Sequence, residues 1–412
     1  MRLRPCVINK MFKENNNITI IGAGLTGLAF CNLLKNTDVK INLIDINPKS
    51  FYENLNMDRH IVLSNTSRVI LEKMGLWQEI SIHCNKLKDI HISKKNIFGS
   101  TLVKSSDENL ESLGYQVPVK ELVKIFYYNI KNVDNLEIAH NAEVTSVDPG
   151  EKVLITFRHD SQSKNIESRS VIFSTGATDE IVDSIFFEKV QKDYKQNAIA
   201  CEVISDQHNT EIAFERFTND GILGLIPRKE NSWTLIYSTN QKESDYINNL
   251  DNLESISYFQ ELLGNKCGNI QEIRNMKTYP LKLKYHKSFT KDNICLLGDA
   301  AHTLHPIAAQ SFNLSLRDCT YLTKLIKSEN LEKNSLSQIY KNYHLKRVDE
   351  VNRLVKFTDS LASLVHGTSF IKNNLISLSF LIMDMNKHIR VNIIRYLLGV
   401  NFSKSLISNS DE

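Results

Sequence analysis

The stretch Asn17–Pro48, NITIIGAGLTGLAFCNLLKNTDVKINLIDINP, restricts the fold more than any other part of the chain. Ile18-Thr19-Ile20-Ile21 is a short apolar run stopped by Gly22, as in a strand buried on both faces. Leu25–Lys35 reads as a helix with Leu28, Leu33 and Leu34 on its apolar face, and Lys40–Ile44 as a second strand ending in Asp45. Two strands joined by a helical crossover pair in parallel, which implies an α/β sheet. Between the first strand and the helix lies Gly22-Ala23-Gly24-Leu25-Thr26-Gly27, a G-x-G-x-x-G. In that pattern the first glycine makes the tight turn, the second lets the backbone approach a pyrophosphate, and the third allows close helix–strand packing. The helix N-terminus adds N–H donors and positive potential. Asp45 then stands where a carboxylate takes ribose hydroxyls. The rival reading is a turn of the same shape without a ligand, and the strand–turn–helix–strand–Asp order argues against it.

The chain has 412 residues and is 42% hydrophobic, too long for one core and sufficient for two or more. Ser67–Ile80 and Glu121–Lys131 read as helices; Glu143–Val147, Val153–Phe157 and Val171–Phe173 read as strands. The middle holds the strand-like segments NAIACEVIS, TEIAFERFT and SWTLIYST, an antiparallel region that forms a second layer or domain. Ile294–Leu297 returns the chain to the parallel sheet, and beyond about Ser328 the pattern is helical. The predicted organisation is a discontinuous nucleotide-binding domain (17–81, 114–181 and 293–327), an inserted antiparallel sheet domain (82–113 and 182–292) and C-terminal helices (328–412).

The apolar run before Gly298 ends in GDAAHTLHPIAAQSFNLSLRD (Gly298–Asp318). A Gly-Asp at the mouth of a buried strand suits a cofactor that spans the sheet. Gly298 would give room for a ribityl chain, and Asp299 would accept hydrogen bonds from its hydroxyls. A helix starting near Gln310 would aim its dipole at the flavin pyrimidine and stabilise negative charge there. The plainer use of Asp299 is a helix N-cap. Asp58-Arg59 reads equally as a surface ion pair or as an arginine reaching the pyrophosphate or flavin edge. His302 and His305 lack further ligands at metal spacing, so packing or cleft lining is favoured for both and no metal is expected.

A net charge of +3 without basic runs excludes a nucleic-acid binder. Seven scattered cysteines without a C-x-x-C pair predict reduced thiols in a cytoplasmic setting. MRLRPCVINK has no apolar core and is not a secretory signal; it reads as a basic leader or as an upstream extension of a chain starting at Met11. No apolar run is long enough to span a bilayer. FIKNNLISLSFLIMDMNKHIRVNIIRYLLGV carries an apolar stripe with Lys372, Lys387, Arg390 and Arg395. It reads first as a packed helix pair, and second as a surface for peripheral contact with the inner membrane or a partner.

Taken together, IIGAGLTGLA, DRHIVLSNTSRVILEKMGLW, IAFERFTNDGILGLIP, YPLKL, LLGDAAHTLHPIAAQSFNLSLRD and RYLLG resemble the FAD-dependent aromatic hydroxylases over about Asn17–Val400. The nearest match is the ubiquinone-biosynthesis group, the 2-polyprenyl-6-methoxyphenol hydroxylases in particular. The resemblance implies a glutathione-reductase-type FAD domain with an inserted substrate sheet. It implies that NADH or NADPH reduces FAD, that O2 forms a C4a-hydroperoxide on it, and that the ring of a polyprenylated phenol attacks the distal oxygen. Partners would be that phenol, O2 and other ubiquinone-biosynthesis proteins. The implied cofactor contacts are Gly22, Gly24, Gly27, Asp45, Arg59, Gly298, Asp299, Pro306, Ala309, Gln310, Ser311 and Asn313. The cleft lining would be His305, Pro306, Gln310 and Ser311, with no side-chain nucleophile. Two departures stand out. Thr175 replaces the aspartate of the family's Ala-Asp-Gly segment, and Ala309, Ser311 and Ser315 replace glycines. The alternative they raise is a catalytically weakened, flavin-binding structural subunit.

Overall fold

The computed structural model describes residues 17–95, 99–177, 179–208, 211–304, 310–328 and 335–364, and Asn386. The N-terminal extension, His305, Pro306, Ala309 and the basic C-terminal stripe lie outside these residues.

Asn17–Ile21 is the heart of a six-stranded sheet in the order 290–291, 294–296, 170–173, 17–21, 40–44, 136–139. All pairs are parallel except the hairpin that joins Thr290–Lys291 to Ile294–Leu296. Ile18, Ile20 and Ile21 are buried because the sheet is covered on both faces, by helices and by the three-stranded antiparallel sheet of 142–148, 153–159 and 162–168, so the apolar run needs no alternation. Thr19, also buried, donates to Ser168 Oγ at 2.9 Å, and Asn42 donates to Thr19 at 3.4 Å. Helix Leu25–Leu34 packs against helix Gln310–Ser328, so the two ends of the cofactor unit share one core. The expected α/β class and discontinuous sheet are borne out. The expected single helix over Ser67–Ile80 is not: Asn65–Lys73 and Trp77–Ser81 are separate helices broken at Met74-Gly75.

A second sheet has eight strands in the order 302–303, 270–286, 189–205, 232–240, 221–227, 212–217, 89–94, 100–104. One face carries Ile199, Cys201, Val203, Leu223, Leu225, Trp233, Leu235 and Tyr237, covered by Ile247, Phe259, Leu262 and Leu263 of helices Gln241–Asn248 and Asn252–Leu263. The opposite face turns to the cofactor unit. Gln116 Nε2 donates to Thr234 Oγ1 at 2.8 Å, and Arg228 Nη1 donates to Asp58 Oδ1 at 2.9 Å. At the other end of the sheet, His302-Thr303 pairs with Lys284-Tyr285.

Candidate cofactor site and its neighbourhood

The glycine loop is built by three different constraints. Gly22 sits at φ +99°, and a Cβ there would lie 2.9 Å from Ser174 O. Its N–H donates to Ile44 O at 2.9 Å, which fixes the turn. A Cβ on Gly27 would run into Gly22 O and come within 2.6 Å of Ser174 Oγ. Gly24, by contrast, has nothing within 4 Å of the position its Cβ would take. That opening is where a pyrophosphate backbone can come close.

Asp45 is 7% exposed. Its carboxylate accepts from Ala23 N–H at 2.6 Å, Asn47 N–H at 2.8 Å and the Tyr52 hydroxyl at 2.6 Å. A carboxylate offers about four acceptor positions, so the residue expected to meet a ribose already organises its own loop. Burial, then the Asp45 charge, pushes the Tyr52 phenol far up, so it remains a donor. Tyr52 also stacks on Tyr127 at 4.7 Å. Nothing in local sequence pattern pointed to Tyr52.

Gly298 adopts φ +63°, and a Cβ there would sit 2.5 Å from Thr26 Oγ1. The glycine is therefore required by contact with the first helix, which presses the Gly-Asp turn onto the glycine-rich loop. This reason for a glycine is separate from the ribityl clearance expected of it. Asp299, in the single turn Gly298–Ala300, keeps solvent-exposed surface although protein surrounds its carboxyl. That enclosure raises its carboxyl above the ordinary range, while His302 and Arg59 pull it back down. The Arg59 charge thus acts on Asp299. Asp58 pairs instead with Arg228, so the simple Asp58–Arg59 surface pair is not formed.

Gln310 and Asn313 are buried at the start of helix Gln310–Ser328. Asn313 Oδ1 accepts from Ser64 N–H at 2.8 Å and Ser67 Oγ at 2.6 Å, and its Nδ2 donates to Val62 O at 2.9 Å. Asn313, expected at the cofactor, holds the helix to strand His60–Ser64. Ser311 is half-buried and its carbonyl accepts from Ser315 Oγ at 2.9 Å.

His302 belongs to a buried polar chain. Its Nε2 lies 2.7 Å from Asp318 Oδ2, Arg347 Nε donates to Asp318 Oδ1 at 2.6 Å, and Arg317 Nε donates to Glu350 Oε1 at 2.9 Å, with Arg347 also on Glu350. This chain fastens helix Gln310–Ser328 to helix Leu336–Leu364. Among the described residues no cluster suits a metal ion.

The departure at Ser174-Thr175-Gly176 lies against the loop: Ser174 Oγ donates to Gly22 O at 2.7 Å. Thr175 Oγ1 is buried without a hydrogen-bond partner. Lys284 Nζ donates to Ala177 O at 2.6 Å and pairs with Asp183 at 2.6 Å. The open position at Gly24, the unsatisfied Thr175 hydroxyl next to Gly22 and the Asp299 carboxyl together fit a diphosphate-linked cofactor such as FAD.

Known proteins agree with that geometry. Residues 15–358 match the FAD binding domain family. The chain is 24% identical over 345 residues to ubiquinone hydroxylase UbiM of Neisseria meningitidis, covering 80% of this chain and 74% of that one. It is 23% identical to ubiquinone hydroxylase UbiL of Rhodospirillum rubrum, covering 76% and 73%. In fold it is similar to Pseudomonas aeruginosa PqsL in complex with 2-aminobenzoylacetate, with a TM-score of 0.73, 16% identity, and 85% and 96% covered. The chain belongs to the FAD binding domain family, and FAD is its cofactor.

Proposed function

We propose that this chain is an FAD-dependent monooxygenase that hydroxylates the aromatic ring of a polyprenylated phenol in ubiquinone biosynthesis. The observation that carries the reading is the open Gly24 turn in a chain of the FAD binding domain family, with one face of an eight-stranded sheet turned to that unit and ubiquinone hydroxylases among its curated relatives. When bound, FAD takes electrons from NADH or NADPH and activates O2. The protein's part is to bind, orient and exclude water. Gly22, Gly24 and Gly27 shape the pyrophosphate turn, Asp45 rigidifies it, and any ribose contact uses the acceptor position its neighbours leave. Asp299 accepts from ribityl hydroxyls, with Arg59 balancing its charge. The N-terminus of helix Gln310–Ser328, with Gln310 and Ser311, supplies positive potential toward the flavin's pyrimidine end. Cofactor contact by Pro306 and Ala309, cleft lining by His305 and a peripheral membrane contact by the C-terminal stripe belong to the same proposal, and these residues lie outside the described ones. No helix among the described residues is long and apolar enough to cross a membrane.

The test is genetic and chemical. A deletion strain should accumulate a prenylated phenol one hydroxylation short, and the intact gene should restore the quinone. An unchanged quinone profile in the deletion strain would reject the reading.

A further inference from the structure

The cofactor-facing side of the eight-stranded sheet carries a carboxyl that the site described above does not use. Along Ile212–Phe217, Phe214 and Arg216 project to the helix-covered face: the Phe214 ring lies 6.2 Å from Trp233, and Arg216 Nη1 reaches Ser93 Oγ at 3.4 Å. Strand alternation puts Glu215 on the other face. There the register aligns Ile92, Glu215, Gly224, Ile236 and Ala200 across five adjacent strands. All five are half-buried, whereas the residues that alternate with them on strands 189–205, 221–227 and 232–240 are fully buried under the helices. Gly224 and Ala200 leave the row shallow: a Cβ at Gly224 would meet only Glu215 Oε2 at 3.6 Å and Ile236 O at 3.8 Å.

The row runs between the two places where the cofactor unit touches this sheet, Gln116–Thr234 with Asp58–Arg228 at one end and the His302-Thr303 pairing at the other. It is an apolar floor with one acid in it. Among the described residues no hydrogen bond or ion pair reaches Glu215, and burial alone pushes its carboxyl up to about 7. On the same face and the strand opposite, Arg228 is engaged with Glu202 at 3.0 Å and Asp58 at 2.9 Å, and His60 lies 3.7 Å from Asp58, while the register sets Lys94 and Lys277 on this face at the two ends of the row. Burial and Arg228 hold His60 down at about 4, so it is neutral.

We propose that Glu215 faces the substrate ring and accepts the proton of its phenolic hydroxyl. The inference rests on the phenol reading above. The phenolic O–H bond breaks, its proton forms an O–H bond on a Glu215 carboxylate oxygen, and the electron pair stays on the phenolate and raises electron density in the ring. One atom of O2 is added to a ring carbon and the other leaves as water, with two electrons from NADH or NADPH. The ring carbon releases its own proton on rearomatisation, and Glu215 returns its proton to the product's oxygen. An acid–base group near neutrality is better matched to a phenol than an ordinary glutamate.

The test uses the full-length, FAD-loaded protein, with 2-geranylphenol as the probe and Glu215→Gln and Glu215→Asp beside the wild type. Flavin content, phenol binding read from the flavin spectrum, product per NAD(P)H and the pH profile of kcat/KM are measured. Glu215→Gln should keep its flavin and bind the phenol. Its product formation should fall about 10²–10⁴-fold and lose the acidic limb near neutral pH, with Glu215→Asp partly restoring both. A Glu215→Gln enzyme that hydroxylates within twofold of wild type with the same pH profile overturns the role of Glu215 and leaves the function intact. Loss of flavin from Glu215→Gln also overturns it, assigning a structural part. A wild type that neither binds nor hydroxylates the prenylated phenol overturns the function and this inference together.

Discussion

The glycine loop makes opposite predictions for two glycines only three residues apart. In Gly27→Ala the new methyl would overlap Gly22 O and crowd Ser174 Oγ. Gly22 cannot yield, because its N–H is held by Ile44 O and its own φ is +99°. Overpacking against backbone belongs at the upper end of the usual range, about 3 kcal/mol. At ~2–4 °C per kcal/mol this lowers Tm by roughly 6–12 °C. In Gly24→Ala the methyl meets no protein atom within 4 Å, and the residue's φ of −71° suits alanine. Lost backbone freedom in the unfolded chain offsets the poorer N-cap, so apo stability should move by less than ~0.5 kcal/mol. FAD affinity should fall at least tenfold, about 1.4 kcal/mol, because the methyl fills the space left for the pyrophosphate. The assay is apo-protein melting beside FAD titration followed by flavin fluorescence. If Gly24→Ala melted as early as Gly27→Ala while binding FAD normally, the loop would not face the cofactor and the reasoning would fail.

Asp299→Ala should leave the apo fold intact and sharply reduce the flavin retained on purification; undiminished flavin would remove the ribityl role. Asn313→Ala strands Ser64 N–H, Ser67 Oγ and Val62 O, and should cost about 2–4 kcal/mol in a denaturant titration. Glu215 also predicts a pH trend in stability. Its folded-state carboxyl is raised from 4.5 to about 7, so its contribution is full below about 4.5 and is lost as pH rises through about 7. Relative to Glu215→Gln, wild-type apo-protein should lose ~1–3 kcal/mol between pH 5 and 8, the lower figure allowing for its partial exposure. Parallel melting curves across that range would contradict the raised value.

Much of the cofactor unit could be anticipated because its constraints are local. The strand–turn–helix of residues 17–34 and the strand before Gly298 announce themselves by apolar runs ending in glycine. The reasons for individual residues were less visible. Gly298 is set by Thr26, and Asn313 by Val62, Ser64 and Ser67, partners far away in the chain. Asp45 was recognisable by position, but its attachment to Tyr52 depends on a short helix that carries no periodic signal. Apolar spacing continues from Ser67 to Ile80, so the sequence pattern does not mark the break at Gly75. Glu215 lies in a segment of evident strand character, yet its isolation appears only when five strands are aligned.

The order of the six-stranded sheet has a consequence for how the chain is made. Val171–Phe173 bonds to Asn17–Ile21 on one side and to Ile294–Leu296 on the other. During synthesis the second side waits for the whole intervening sheet to be translated, roughly 10 s at ~5–20 residues per second. Through that interval a flat apolar edge of the cofactor unit is open to pairing with other chains. The nascent protein is at its most aggregation-prone there, and a ribosome stalled before Ile294 would release a fragment with an uncapped sheet edge.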